Sequence, residues 1–332
     1  MLTHRVTTTT TKAGRTVYTL HDDASGASAS VLPSYGFNLF DLRLPVAGQV
    51  RRVVDAAPDF AENPKSPARN GVPVLFPFPN RIDHGKYSFG GKSYATPANS
   101  NAHAIHGFAL DATWEVVGHK SDAGAAEITG RYQISVQSPE KRAFWPTDGV
   151  LEIRYALSGK ALTMTVTVSN PTAESLPYGF GIHPYFRCPF TEGGDPQKTS
   201  VVIPATKFWP LEGFIPTGAT TPVDARLDFR KGQPIAGLKL DDVLTGLEFE
   251  GGKCVCRLVD TALGGEFRLV VDKAVRELVL YTPPNVSGVI AIEPYTQTTD
   301  AINLKTKGVD GGLRTLGHGG SDTFTLVMET SG

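Results

Sequence analysis

Three cysteines in 332 residues, Cys188, Cys254 and Cys256, are too few and odd in number for a disulfide framework. That removes the small disulfide-stapled secreted class and makes a reducing, cytoplasmic setting the simplest reading. Neither sign of charge is in excess. The 32 Lys and Arg stand against 33 Asp and Glu, for a net charge of −1, so neither nucleic acid nor an anionic membrane surface has a basic field to meet. Long apolar runs are missing as well. Val286–Ile292 is among the most apolar stretches and is seven residues long with a Ser and a Gly inside it, far short of a membrane-spanning helix. Residues 1–15 are polar and Thr-rich without an apolar segment, unlike a secretory signal. No fixed-period repeat is visible, which argues against a propeller or solenoid.

What the chain has in quantity is Gly and Pro, 35 and 24 residues. The share is above ordinary usage and below the roughly 25–30% typical of disordered low-complexity chains, so the sequence reads as turn-rich and globular. Its periodicity is two. Leu151, Ile153, Tyr155 and Leu157 alternate with mostly polar residues, a turn falls at Ser158-Gly159-Lys160, and Leu162, Met164, Val166 and Val168 alternate again with Thr163, Thr165 and Thr167. This predicts a hairpin with one apolar face. The same style predicts strands at Thr16–His21, Ala27–Val31, Phe37–Leu44, Arg268–Val271, Glu277–Tyr281 and Thr323–Met328, with a further hairpin around Gly90-Gly91. Thr7–Thr11 reads as a frayed terminus or a first strand. No window shows clean helical periodicity. Many short strands without βαβ alternation predict an all-β sandwich or barrel, and no linker divides residues 1–332, which read as a single domain.

Several catalytic signatures are missing. There is no G-x-S-x-G nucleophile elbow. Gly90-Gly91-Lys92-Ser93 lacks the first Gly of a phosphate loop and sits in a predicted hairpin. Cys254 and Cys256 lack the second pair of a four-cysteine zinc site and read as core. Four places instead set polar groups in apolar company. Val72–Phe78 ends in Pro79-Asn80-Arg81, where Arg81 is either a surface residue or a planar donor facing a ligand. His103 and His106 lie three apart beside Gly107. His183 stands among Tyr178, Phe180, Tyr185 and Phe186, either as core or as part of a sugar-covering surface. Glu293 ends the run Val289–Ile292 on the face of Val289 and Ala291. It is either solvated there or buried with a raised pKa suited to a general base.

In order, Asn80-Arg81, His106-Gly107-Phe108, Asn170-Pro171-Thr172 with His183-Pro184-Tyr185-Phe186, and Glu293 through Gln297 to Asp300-Ala301-Ile302-Asn303 resemble the aldose 1-epimerase, galactose mutarotase-like family. The resemblance spans roughly Arg69 to Leu316. It implies a large antiparallel β-supersandwich with an open sugar cleft, and an isomerase that interconverts the α and β anomers of a free aldose without metal or organic cofactor. It also implies roles: Glu293 as general base, His183 as general acid, His106 as a second active-site histidine, and Arg81 with Asn80 in substrate binding. An Asp that holds sugar hydroxyls falls at Asp241, with Asp242 as the alternative. A related branch acting on hexose 6-phosphates would need clustered Arg, for which Arg69 and Arg81 are candidates.

Such a reaction fits these residue types. A base takes the C1 hydroxyl proton while an acid protonates the ring oxygen, C1–C2 rotates, and the ring closes on the other carbonyl face. No nucleophile is needed. Two other classes stay open from the residues alone: a metal enzyme built on His103, His106, His183 and Glu293, and a non-catalytic sugar-binding protein. A small sugar is the expected partner, and a charge near zero permits a monomer or a homodimer.

Overall fold

The alternating segments become strands wherever one face can be buried. The structure, a computed structural model, describes residues 3–331, so residues 1, 2 and 332 of the expected 1–332 domain lie outside the described residues. The predicted hairpin is the pair Val150–Ser158 and Ala161–Ser169. It lies inside a nine-stranded antiparallel sheet whose order is Glu115–Ser121, Ala126–Gln133, Val150–Ser158, Ala161–Ser169, Ser321–Ser331, Gly265–Asp272, Lys253–Asp260, Thr199–Val202 and Gln233–Pro234. Leu151, Ile153, Tyr155, Leu162, Met164, Val166, Leu269 and Leu326 point into the core. The opposite face carries cross-strand ion pairs such as Arg131 with Glu152 and Arg154 with Glu127, the usual division for an antiparallel sheet with one wet face. Cys254 and Cys256 lie buried on the inner face, and Cys188 is buried as well; all three are free thiols.

Two further sheets close over that inner face. The first five strands, His4–Thr10 through Gln49–Arg52, form a meander in sequence order, and Thr7 to Thr10 belong to its first strand. One expected strand begins a residue late: it runs Asn38–Val46, while Phe37 takes a left-handed φ of 50°. Its ring is stacked between Trp114 and Tyr155 at 5.4 and 5.5 Å, so core packing sets its backbone rather than strand pairing.

The other cover is an eight-stranded sheet ordered Thr221–Pro222, Ala205–Trp209, Asp241–Leu247, Glu277–Tyr281, Val289–Tyr295, Gly181–Ile182 and Val74–Leu75, with Tyr185–Arg187 also paired to Val289–Tyr295. Phe186 meets Phe267 and Phe180 meets Phe324 across to the nine-stranded sheet. Leu244, Leu278, Leu280, Ile290 and Ile292 join the main core. Val243, Val279 and Tyr295 lie on the opposite face with Trp209 and Leu75, as do Val289 and Ala291 with Tyr185. Val289–Tyr295 is therefore buried at all seven positions, which is why it reads as an unbroken apolar run. Helix is confined to short pieces, the longest α-helix being Ala301–Thr306. No helix among the described residues is long and apolar enough to cross a membrane.

The outer face of the eight-stranded sheet holds Glu277, fully buried, with Trp209 Nε1 donating to its Oε2 at 3.2 Å. Burial raises its carboxyl to about 7, so the folded protein holds this proton more tightly than the unfolded chain does. The resulting stability is fully present below the ordinary value near 4.5 and is lost as pH rises to about 7, roughly 3 kcal/mol across that window. Denaturant melts from pH 4.5 to 8 should show Glu277→Gln gaining on wild type as pH rises; parallel pH profiles would contradict this account.

Candidate active site

The site is assembled from the eight-stranded sheet and two loops beside it. Glu293 lies in Val289–Tyr295 directly across from Val279, 2% exposed. His183 follows the short strand Gly181–Ile182, and its backbone N–H donates to Pro73 O at 2.9 Å. The two side chains meet, with His183 Nε2 3.2 Å from Glu293 Oε1. Tyr295, two residues beyond Glu293 on the same face, donates its hydroxyl to Glu293 Oε2. Tyr185, two beyond His183, stacks on the imidazole with ring centroids 4.7 Å apart. Its hydroxyl donates to Ala68 O at 2.6 Å, so its oxygen can only accept from His183 Nε2, 3.3 Å away. That geometry gives an imidazolium Nε2–H an acceptor once the proton of the pair has passed to His183.

Burial acts oppositely on the two partners because it disfavours each charged form. Glu293 is pushed well above the ordinary carboxylate range, chiefly by burial, with Asp241 adding to the rise and Tyr295 and Arg81 opposing it. His183 is lowered to about 3, again chiefly by burial, with Arg69 acting in the same direction. A carboxylic acid beside a neutral imidazole is the resting form. The pair carries one proton that can cross 3.2 Å to give carboxylate and imidazolium.

Arg81 and His106 come from the pair of two-residue strands Arg81–Ile82 and Ala104–Ile105. His106 N donates to Asn80 O at 2.9 Å, and Asn80 N donates back to His106 Nδ1 at 3.3 Å. An Nδ1 that accepts leaves the proton of a neutral imidazole on Nε2. Burial, with His183 and Arg81 nearby, keeps His106 neutral by lowering it well below its usual value. The ring lies edge-on to His183, centroids 5.6 Å apart. Asn80 Oδ1 accepts from Arg81 Nη1 at 3.1 Å. Arg81 Nε is buried and has no hydrogen-bond partner within the described residues. Asp300 fixes this corner from below: its N–H donates to Arg81 O at 2.8 Å and its Oδ1 accepts from Asp83 N at 3.0 Å.

Asp241 and Asp242 begin the strand Asp241–Leu247 and point to opposite faces. Asp242 is held by Arg226 through two hydrogen bonds of 2.9 and 2.7 Å. Asp241 lies across from Tyr281 on the site face, at its exposed rim. Surrounding protein lifts its carboxyl above the ordinary range while Arg81 pulls it down.

Thus Asn80, Arg81, His106, His183, Asp241 and Glu293 share one region. The four-residue metal set does not form: His103 turns away to Asp83, 3.3 Å from its Nδ1, and to His84, and among the described residues that trio is the group of ligating side chains close enough to share an ion. Tyr185 and Tyr295 were legible as i+2 neighbours of His183 and Glu293 on extended backbone. Tyr281 had no local signal, since strand register brings it in, and Asp300 stood within the motif that follows Glu293 without a role, which a loop contact supplies.

The aldose 1-epimerase family model matches residues 16–329. The uncharacterized protein YihR of Escherichia coli is 28% identical over 172 residues, covering 51% of this chain and 52% of that protein. The galactose mutarotase of Mus musculus is 26% identical over 155 residues, covering 46% and 43%. The matched stretch thus spans about half the length of these relatives. Among solved structures, a galactose mutarotase-like protein from Clostridium acetobutylicum superposes with a TM-score of 0.87 at 24% identity, covering 99% of this chain and 98% of that one. A GalM/aldose epimerase homologue from C. elegans gives 0.74 at 20% identity, covering 99% of each chain. The architecture is that of galactose mutarotase-like β-sandwiches.

The bend that carries His106 depends on Gly107, whose φ is +67° and whose added Cβ would fall 2.3 Å from Phe76 O. Gly107→Ala should destabilise the protein by more than about 2 kcal/mol in urea unfolding. A loss below about 0.5 kcal/mol would show that the loop relaxes freely.

Proposed function

The chain belongs to the aldose 1-epimerase family, and from that premise we propose that it is a mutarotase acting on a free aldose through the Glu293–His183 pair. The observation that carries the reading is the 3.2 Å contact between a buried carboxyl and a buried imidazole. Transfer of the shared proton gives carboxylate and imidazolium. The imidazolium of His183 then protonates the ring oxygen as Glu293 takes the C1 hydroxyl proton, which breaks the C1–O5 bond and leaves the open-chain aldehyde. The pair is now back in its acid–imidazole form. After rotation about C1–C2, Glu293 returns its proton to the carbonyl oxygen, His183 removes the O5 proton, and the ring closes as the other anomer. Each placed proton transfer contributes roughly 10²–10⁴ in rate.

The remaining groups hold the sugar. His106 offers a neutral Nε2–H donor, Arg81 a planar set of donors, and Asp241 an acceptor for hydroxyls, while Asn80 fixes Arg81 and His106. The free-aldose reading is favoured over a 6-phosphate because Asp55 lies 3.8 Å from Arg69 and 3.6 Å from Arg187, where it would repel a phosphate. A catalytic role is favoured over simple binding because Glu293 lies 3.2 Å from a second proton carrier, His183, which a binder does not need. The same reading takes the chain as one domain of carbohydrate metabolism, with a core running from Leu20 to Met328. It places the protein in the cytoplasm, where three free thiols persist.

Polarimetry of fresh α-glucose and α-galactose tests this. Wild type should speed equilibration, and Glu293→Gln should lose at least about 100-fold. No acceleration on any common aldose, or full activity in the variant, sinks the proposal. The pH profile of kcat/KM should stay flat through neutrality. It should fall in acid as His183 gains a second proton for the pair near pH 3, and in alkali as Glu293 surrenders the last one. Asp241→Asn should raise KM about tenfold or more, whereas Asp242→Asn should leave kinetics near wild type; the reverse order would move the hydroxyl ligand to Asp242.

A further inference from the structure

A two-residue hairpin rises beside the site. Leu211–Glu212 pairs with Ile215–Pro216 in the register Glu212 to Ile215, leaving Gly213 and Phe214 as the tip. It follows directly on Ala205–Trp209, the strand paired with Asp241–Leu247. Both tip residues have positive φ, 56° at Gly213 and 70° at Phe214. A tip with both residues in that region takes Asn-Gly, Asp-Gly or Gly-Gly by preference, because a Cβ is crowded there. Gly213 fits; a bulky aromatic at the second position is the exception. Phe214 gains little from core packing, since its residue is 43% exposed. Its ring instead lies over Arg81, with the guanidinium carbon 4.4 Å from the ring centroid.

Three observations thus meet at one residue: a backbone conformation its side chain disfavours, an aromatic ring left in solvent at the site's mouth, and a stack on the Arg81 guanidinium. Strain without a packing return is a feature of functional positions. An aromatic face held beside polar donors suits the C–H surface of a pyranose. We propose that Phe214 is a substrate-binding residue: one side of its ring pins Arg81, and the exposed side covers the bound aldopyranose. This inference rests on the mutarotase reading of the site and adds a contact that decides affinity and the choice among sugars, leaving the proton transfers to Glu293 and His183.

The test sets function and stability against each other. Phe214→Gly restores the residue the turn prefers, so its Tm should equal or exceed that of wild type. KM for the best aldose should rise about tenfold with kcat within about threefold, and Phe214→Trp should restore most of the affinity. An unchanged KM overturns the proposal, and so does a fall in Tm with KM and kcat lost together, which would mark Phe214 as structural. Sugar affinity measured by calorimetry with D-glucose and D-galactose separates this inference from the catalytic reading. A wild type that binds sugar without exchanging anomers refutes the reaction, and the Phe214 assignment then stands or falls on whether Phe214→Gly weakens that binding. A wild type that binds neither sugar overturns both.

Discussion

Everything near the site answers to one constraint, a carboxyl and an imidazole placed together where water is excluded. Glu293 and His183 each lose hydration, and each is driven toward its neutral form. Two such groups 3.2 Å apart turn that penalty into a proton held in common. Tyr295 secures the far oxygen of the carboxyl, and Tyr185 gives the imidazole both a stacking face and an acceptor. The arrangement needs rigid backbone on every side, which a sheet strand buried on both faces supplies.

Rigidity continues into the loops by a different device. Backbone and side-chain hydrogen bonds lock Asn80 and His106 to each other, and Asp300 grips the chain at Arg81 and Asp83. These loops lack the regular ladder of a sheet, so side chains take over its work. Of the buried polar run Thr296 to Asp300, Asp300 holds the corner on which Arg81 is mounted, and Thr296 Oγ1 accepts from Phe180 N.

Much of this was legible in the sequence because strands announce themselves by period two. The hairpin at Leu151 to Val168 and the strand at Glu277–Tyr281 were readable for that reason. Phe37 was misread as strand because its apolar character signals burial without saying that ring stacking governs its backbone. Residue type and order marked Glu293, His183, His106 and Arg81, whereas the choice between Asp241 and Asp242 waited on where Arg226 stands. His103 looked equivalent to His106 in sequence and faces a different neighbourhood, since the two flank the short strand Ala104–Ile105 and an odd spacing on extended backbone turns side chains to opposite sides. Phe214 carried no signal at all. Only its dihedral angle and its contact with Arg81 single it out, and neither is local information.

The acid–imidazole pair belongs to the sheet, while Arg81, His106 and Phe214 hang on loops and a hairpin tip. On the proposed reading the proton transfers and the Asp241 contact sit on the sheet, while the remaining sugar contacts are mounted beside it. A hairpin tip can be exchanged with little disturbance to the strands beneath it, so the proposed sugar contact at Phe214 is open to change with Glu293 and His183 left in place.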